Sequence, residues 1–342
     1  MIRSLSRTIL EYIWIGGKGE IRSKTRVINR VLQFHHSCIP EWNYDGSSTW
    51  QADSNGDTEV ILRPVALYRD PTRNFDDTCY LVLCGTYNSN GDPLKNNHGH
   101  SAQLFFEEND ELEPWFGVEQ EYFIDLPRDD KCKNLKDGYH YCGRVENPIE
   151  RVIAEQHLQL CLEAGLKISG INSEVSRNQW EFQIGPCEGI SAADELIIAR
   201  YLLYIVAEKF NATIDYHPKP ITNINGSGCH INFSTKLMRN EEGIKEVHKC
   251  IYNLEKKHSE TIKAYGEHND LRLTGLHETS SYDKFSWGVG TRNTSIRIPN
   301  CAIRCDDTTA IYFEDRRPAA NIDPYLAIYT LFKDACFESV DI

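Results

Sequence analysis

The 342-residue sequence predicts an α+β fold in two parts, a small β-rich domain over residues 1–97 and a larger α+β domain over residues 98–342. Three observations carry that expectation. Strand-like alternation dominates the first hundred residues, the pattern turns helical near Asn97, and beyond it strands interleave with long helices. "YIWIGGKGEIRSKTRVI" reads as two strands around a glycine turn, and "EVILRPVALYRD" and "TCYLVLCGTY" read as further strands. Between these pairs, "PEWNYDGSSTWQADSNGD" reads as a long polar loop. "GHSAQLFFEENDEL" opens the second part with helical spacing, and helices are expected over 148–164, 192–211 and 241–265. "WFGVEQEYFIDL", "GINSEVSRNQWEFQIGP", "GCHINFST" and "TSIRIPN" supply the strands between them, and no internal repeat or low-complexity tract intervenes.

Composition narrows the function classes. Apolar residues at 40% and charged residues at 25% match globular averages, and no run approaches the ~18 apolar residues of a membrane span. With 37 basic against 50 acidic residues the net charge is −13, which repels a nucleic-acid backbone, and no basic stripe offsets it. Neither a nucleic acid nor a membrane is expected as a partner. The 12 cysteines include no Cys-x-x-Cys pair, and the closest spacings, Cys79 to Cys84 and Cys301 to Cys305, match no metal template. Cys84 and Cys161 sit among apolar neighbours, as small core residues do. So many thiols suit a reducing compartment. Arg3 and Arg7 precede the first acid, Glu11, an echo of a transit peptide, but the strand pattern starts too soon after them, and a cytoplasmic location is expected.

Four segments hold candidate chemistry. In "WFGVEQEYFI", alternation puts Glu119 and Glu121 on one strand face roughly 7 Å apart, with Val118, Tyr122 and Ile124 on the other. Two carboxylates there repel, and a hard divalent cation such as magnesium or manganese relieves the cost; a solvated strand face is the alternative. In "NSEVSRNQWEFQIGPCEG", Glu181 and Gln183 oppose the face of Trp180, Phe182 and Ile184, with Glu174 across a bend; exposed acids on an ordinary strand pair would look the same. "IYFEDRRPAANIDP" places Glu314 before Asp315, Arg316 and Arg317, and a surface salt-bridge cluster is the default reading. "KPITNINGSGCHINFS" sets Asn223, Asn225, Gly226 and Gly228 before a strand in which His230, Asn232 and Ser234 share a face. A satisfied core histidine is the bland alternative there. Arg272, Arg292, Arg297, Arg316 and Arg317 suggest an anionic substrate bearing phosphate and carboxylate. No P-loop or kinase glycine loop is present, so metals and arginines are expected to hold any nucleotide.

Taken together, "EWNYDGSSTWQA", "WFGVEQEY", "SEVSRNQWEFQIGPCEG", "KPITNINGSGCHINFS", "RLTGLHETS", "RNTSIRIP" and "YFEDRRPAANIDPY" resemble the eukaryotic type of glutamine synthetase, in order, from Tyr12 to Tyr325. The resemblance implies a β-grasp N-terminal domain and a catalytic domain with a curved antiparallel sheet flanked by helices. It implies homo-oligomeric rings, two pentamers stacked as a decamer, with each Asp45 loop completing a neighbour's site. It implies ATP, L-glutamate and ammonium as substrates, with two or three magnesium or manganese ions per site. Glu121, Glu174 and Glu181 would hold one metal, and Glu119, His230 and Glu314 a second. Asn223, Gly226, Arg272, Arg292 and Arg316 would bind glutamate. Trp115, Glu181, Asn232, Ser234, Arg292, Arg297 and Tyr312 would contact ATP. Asp45, Glu278 and Arg292 would be catalytic: Asp45 takes a proton from ammonium, Glu278 closes a flap, and Arg292 meets the phosphoryl group. The chain departs from the family pattern after Tyr122, in "CAIRCDDTTAIYFE" and between Tyr87 and Glu113, but at no expected metal position. A ligase for a larger amine would need an altered ammonium site, whereas Asp45, Ser48 and Glu278 are present; a catalytically dead relative should have lost a metal ligand.

Overall fold

A computed structural model describes residues 7–52, 56–73, 78–127, 140–144, 149–241, 243–300 and 311–337. The Cys301/Cys305 spacing, the departure over 301–310, most of that after Tyr122, and Arg3 lie outside the described residues.

The N-terminal part is one five-stranded sheet in the order β2-β1-β5-β4-β3. β1 (Thr8–Ile15) and β2 (Ile21–Ile28) form the expected hairpin, its turn passing through Gly19 at φ +79°. β4 (Glu59–Arg69) and β5 (Thr78–Tyr87) pair antiparallel, and β5 runs parallel to β1. Both faces of the sheet are covered, so β1 is buried from Thr8 to Trp14 and reads as a near-continuous apolar run. Leu10, Tyr12 and Trp14 join Leu62, Tyr80 and Val82 in a small core, while Ile13, Leu81 and Leu83 join the main one. Part of the stretch expected as a loop is a strand, β3 (Trp42–Asp45). Trp42 packs edge-on against Tyr12 at 5.3 Å and Tyr44 stacks on Trp14 at 4.6 Å. Those aromatic contacts extend a backbone whose glycine- and serine-rich sequence reads as loop.

The second part wraps helices, six among the described residues, around a larger sheet, ordered β11-β12-β13-β10-β6-β8-β7 with β9 also pairing with β6. Its central strand β6 (Trp115–Asp125) is flanked antiparallel by β8 (Gln179–Glu188) on one side and β10 (Cys229–Ser234) on the other. β7 (Ile168–Ser173) forms a hairpin with β8, and β11 (Trp287–Val289), β12 (Ile296–Ile298) and β13 (Phe313–Asp315) extend the other side. β9 (Thr213–Asp215) completes it. Helices α1 (His98–Glu108), α2 (Ile149–Ala164) and α3 (Ser191–Lys209) fall where the periodicity places them. The helix expected over 241–265 divides into α4 (Gly243–Lys256), α5 (His258–Thr261) and a 3-10 turn over Ile262–Ala264. At the break, Lys257 Nζ donates to Phe337 O at 2.6 Å and His258 Nε2 lies 2.9 Å from Tyr282 O, so tertiary contacts override local helical preference. A last helix, α6 (Pro324–Cys336), lies outside the expected elements; Asp323 caps it by accepting from Leu326 N at 3.0 Å, and Pro324 occupies its first turn.

One correction bears directly on function. Glu314, Asp315, Arg316 and Arg317 are no surface cluster: their relative exposures are 1%, 0%, 7% and 0%. They lie on or beside β13 deep in the sheet, where Asp315 and Arg317 pair at 2.7 Å on the helix-covered side. The short strand gives too few residues for alternation to be visible in the sequence.

Candidate active site

The site is one face of the larger sheet, assembled by strand register. Glu121 lies opposite Glu181, Glu119 opposite His230 and Gln183, and Glu314 opposite Asn232 and Arg297. The other face of the same strands (Val118, Tyr122, Phe182, Ile184, Ile231, Phe233) is core with relative exposures of at most 1%. Period-two alternation therefore serves both purposes, and burying the apolar face forces the acids together. Like charges directly across a ladder are destabilising, so Glu121 against Glu181 is a feature that packing alone does not explain.

Two trios result. Donor atoms of Glu121, Glu174 and Glu181 lie within 4.8 Å of one another, as do those of Glu119, His230 and Glu314. Burial, reinforced by the neighbouring carboxylates, pushes the Glu121 carboxyl up to about 8 and the Glu181 carboxyl up to about 9. Burial also raises Glu174, against hydrogen bonds from Asn172 and Val175. Glu174 reaches the trio from the β7–β8 turn, held by Asn172 Nδ2 at 2.8 Å. Burial, with Arg316 beside it, holds His230 well below its usual range, so its imidazole stays neutral; its Nε2 accepts from Arg272 Nη2 at 3.2 Å, and its Nδ1 faces Glu119 at 3.7 Å and Glu314 at 3.5 Å. Oxygen and imidazole donors at these separations fit divalent magnesium or manganese, whose charge would offset the crowding of the carboxylates.

Arginines surround the trios. Arg316 Nη1 meets Glu314 Oε1 at 2.6 Å and Arg297 Nη1 meets Glu314 Oε2 at 2.9 Å. Arg316 also donates through Nε to Arg292 O at 3.1 Å and through Nη2 to Glu278 O at 3.3 Å, tying two loops to the strand. Arg272 is buried, its Nη atoms held by Asn269 Oδ1 and the main-chain oxygens of Arg316 and Arg317. Burial lowers it to about 10, still cationic at neutral pH. A polar hollow of about 50 Å³ runs between Glu119, Glu121, Glu174, Glu181, His230, Asn225, Gly226, Arg272, Glu278, Arg292 and Arg316. A Cβ at Gly226 would lie 2.4 Å from Pro218 O, and one at Gly228 would lie 2.6 Å from Arg272 Nη2, so this wall of the hollow demands glycine. Glu119 also borders a second hollow of about 420 Å³, lined by Trp115, Asn232, Ser234 and Tyr312 among others.

Two expected residues lie apart. Asn223 is exposed at φ +64° and does not line the polar hollow; Asn225 does. Asp45 stands exposed on the N-terminal sheet, where Ser47 N at 3.0 Å and Ser47 Oγ at 2.8 Å hold its carboxyl below the usual range. It lines neither hollow of its own chain. Sequence reading missed Arg239, which lies over the Trp115 ring at 4.0 Å and donates to Ser234 Oγ at 3.0 Å. It also missed Gln179, whose amide touches Glu121. Gln179 was within sight, two residues before Glu181 on the same alternating face; Arg239 follows β10 in a turn and carries no such signal.

Comparison with known proteins agrees with this geometry. The model of the family "Glutamine synthetase, catalytic domain" matches residues 102–263. A putative glutamine synthetase of Acanthamoeba polyphaga mimivirus is 48% identical, covering 97% of this chain and 95% of that protein. Glutamine synthetase of Saccharomyces cerevisiae is 47% identical over 96% of this chain and 90% of its own length. A cryoEM structure of Plasmodium falciparum glutamine synthetase superposes with a TM-score of 0.79 at 18% identity, covering 100% of this chain and 76% of that one, which shows the shared fold. With 47–48% identity to these two proteins over nearly the whole length of each, the chain belongs to the glutamine synthetase family.

Proposed function

We propose that this protein joins ammonia to the side-chain carboxylate of L-glutamate with consumption of ATP, forming L-glutamine, ADP and phosphate. The observation that supports it best is the pair of donor trios set side by side, five donors on one sheet face and Glu174 on the β7–β8 turn, between an aromatic-walled hollow and a small cation-rimmed one. ATP is assigned to the larger hollow, its base against Trp115 and Tyr312, near Asn232 and Ser234, its phosphates running past Glu119 toward Arg297 and Glu181. L-glutamate is assigned to the smaller, between the Gly226 loop, Arg272, Arg292 and Arg316, with Asn223 available from the same loop. Glu121, Glu174 and Glu181 would hold one magnesium or manganese ion and Glu119, His230 and Glu314 another, two or three per site. Bound there, they supply charge that lets a carboxylate approach a triphosphate.

The remaining work falls to side chains. The γ-carboxylate of glutamate attacks the terminal phosphorus, ADP leaves, and Arg292, Arg297 and Arg316 stabilise charge on the transferring oxygens. Glu278, at φ +61° in the loop over the hollow, excludes water from the acyl phosphate. Asp45 attracts ammonium and accepts its proton, leaving ammonia to displace phosphate. Because Asp45 is exposed and outside its own chain's hollows, it is assigned to the site of an adjacent subunit in a ring, the decamer of two pentamers. The split near residue 97 then separates the domain lending Asp45 from the one receiving it. Among the described residues no helix is long and apolar enough to cross a membrane. The many cysteines suit a reducing compartment, and on that ground we assign the enzyme to the cytoplasm.

A coupled ADP-release assay with glutamate tests the reading. The expected result is ADP and glutamine formation that depends on ammonium; ADP release indifferent to ammonium, or driven only by a larger amine, refutes it.

A further inference from the structure

Gln179 begins β8 and is 1% exposed, yet it belongs to neither trio. Its Nε2 donates to Gly226 O at 2.9 Å, Glu121 Oε2 at 3.2 Å and Ser227 Oγ at 3.3 Å. A carbonyl and a carboxylate can only accept, so the amide nitrogen must face them, and Oε1 is left buried without a partner. Leaving that oxygen unsatisfied carries a desolvation cost that packing alone would have avoided with an apolar side chain. Glu121 Oε2 also accepts from Gly228 N at 2.6 Å. Both donors land on Oε2, and among the described residues none reaches Oε1, which is left for a cation. One amide therefore grips both an acid of the cation trio and the glycine loop that walls the amino-acid hollow.

The geometry points to Gln179 as a positioning residue that couples divalent-cation binding at Glu121, Glu174 and Glu181 to L-glutamate binding at the Gly226 loop. This rests on the assignment of those two ligands under the proposed function. A cation that fixes Glu121 restrains Gln179 and, through it, the Gly226 carbonyl; an amino acid that orders the loop returns the same restraint to Glu121. Such coupling is reciprocal, and the two binding constants must shift by one common factor. The nucleotide hollow, which Gln179 does not line, lies outside this linkage.

Gln179→Met keeps the length and volume of the side chain without its donors, and Gln179→Glu keeps the shape but replaces the donor by an acceptor facing Glu121. Manganese is titrated with and without L-glutamate by electron paramagnetic resonance, and an ATP analogue by calorimetry, on the whole oligomer. In the wild type, glutamate should tighten manganese binding on the order of tenfold. In Gln179→Met that factor should fall toward the part due to direct contact between the two ligands, about threefold or less. Gln179→Glu should lose more, and nucleotide affinity and melting temperature in chelator should stay within error for Gln179→Met. An undiminished factor in a folded Gln179→Met overturns the coupling while leaving the ligand assignments intact. Equal weakening of nucleotide binding overturns it too, since that marks a general packing role. A wild type that binds neither manganese nor glutamate overturns both the coupling and the assignments beneath it.

Discussion

Replacing Glu181 by glutamine should stabilise the cation-free protein and diminish its response to manganese. Donor oxygens of Glu121, Glu174 and Glu181 lie within 4.8 Å of one another. At an effective dielectric of about 20, each ionised pair at that distance repels by roughly 3 kcal/mol. Glutamine at 181 removes two of the three pairs. The trio already relieves part of the repulsion by retaining protons, as the carboxyls at about 8 for Glu121 and about 9 for Glu181 indicate. A net gain of about 0.5–2 kcal/mol is therefore expected, the range typical of single stabilising substitutions. Its pH dependence follows from the sign of the shifts. Folded-state values raised above the ordinary 4.5 mean that the penalty is absent below that pH and grows as pH rises through 8 and 9. Scanning fluorimetry in chelator should find the variant melting several degrees above wild type at pH 8, and level with it near pH 4.5. Manganese should raise the melting temperature of wild type more than that of the variant, in which only the Glu119, His230 and Glu314 trio is intact. A variant that melts below wild type in chelator at pH 8, or that gains as much from manganese, refutes the reasoning.

Two further outcomes are expected. If Asp45 serves a neighbour's site, Asp45→Asn and Glu121→Ala are each inactive alone. Dissociated and reassembled as a random one-to-one mixture, they should recover roughly a quarter of wild-type activity, since a competent site needs one variant on each side; no recovery in properly mixed rings contradicts the shared site. His157 on α2 is fully buried, its Nε2 2.9 Å from Ala199 O, and burial pushes its imidazole down to about 4. Its contribution is complete above pH 6.5 and is lost as pH falls toward 4, about 3 kcal/mol in all. His157→Gln should flatten the acid limb of a denaturant-midpoint profile over that window, and an unchanged limb would assign it elsewhere.

What could be read in the sequence was what alternation encodes. Glu119, Glu121, Glu181 and His230 stand on long strands whose apolar partners announce the buried face, so their shared orientation follows from period two. Glu174 and Glu314 do not announce themselves. One sits on a turn beyond Ser173, and the other on a three-residue strand beside three charges that read as a solvated cluster. Their identification in the sequence rested on family resemblance, and their placement in space comes from tertiary pairing. β3 was hidden for a related reason: Trp42 and Tyr44 carry its packing, while the Asp-Gly-Ser-Ser that follows carries loop chemistry.

The burial of Asp315 and Arg317 explains how so short a strand can present Glu314 reliably. Arg317 Nε meets Asp315 Oδ1 at 2.9 Å, Tyr265 OH donates to Asp315 Oδ2 at 2.9 Å, and Arg317 Nη1 lies 3.1 Å from His258 Nδ1. Because side chains alternate, fixing Asp315 toward the helices fixes Glu314 and Arg316 toward the hollow. A buried ion pair is a weak source of net stability compared with apolar packing of equal volume, but it admits few alternative registers, since slipping by one residue would strand two charges in the core. The fold thus accepts a modest stability penalty behind β13 for the same reason that it tolerates opposed carboxylates in front of it: the position of Glu314 matters more to this site than the free energy of the strand that carries it.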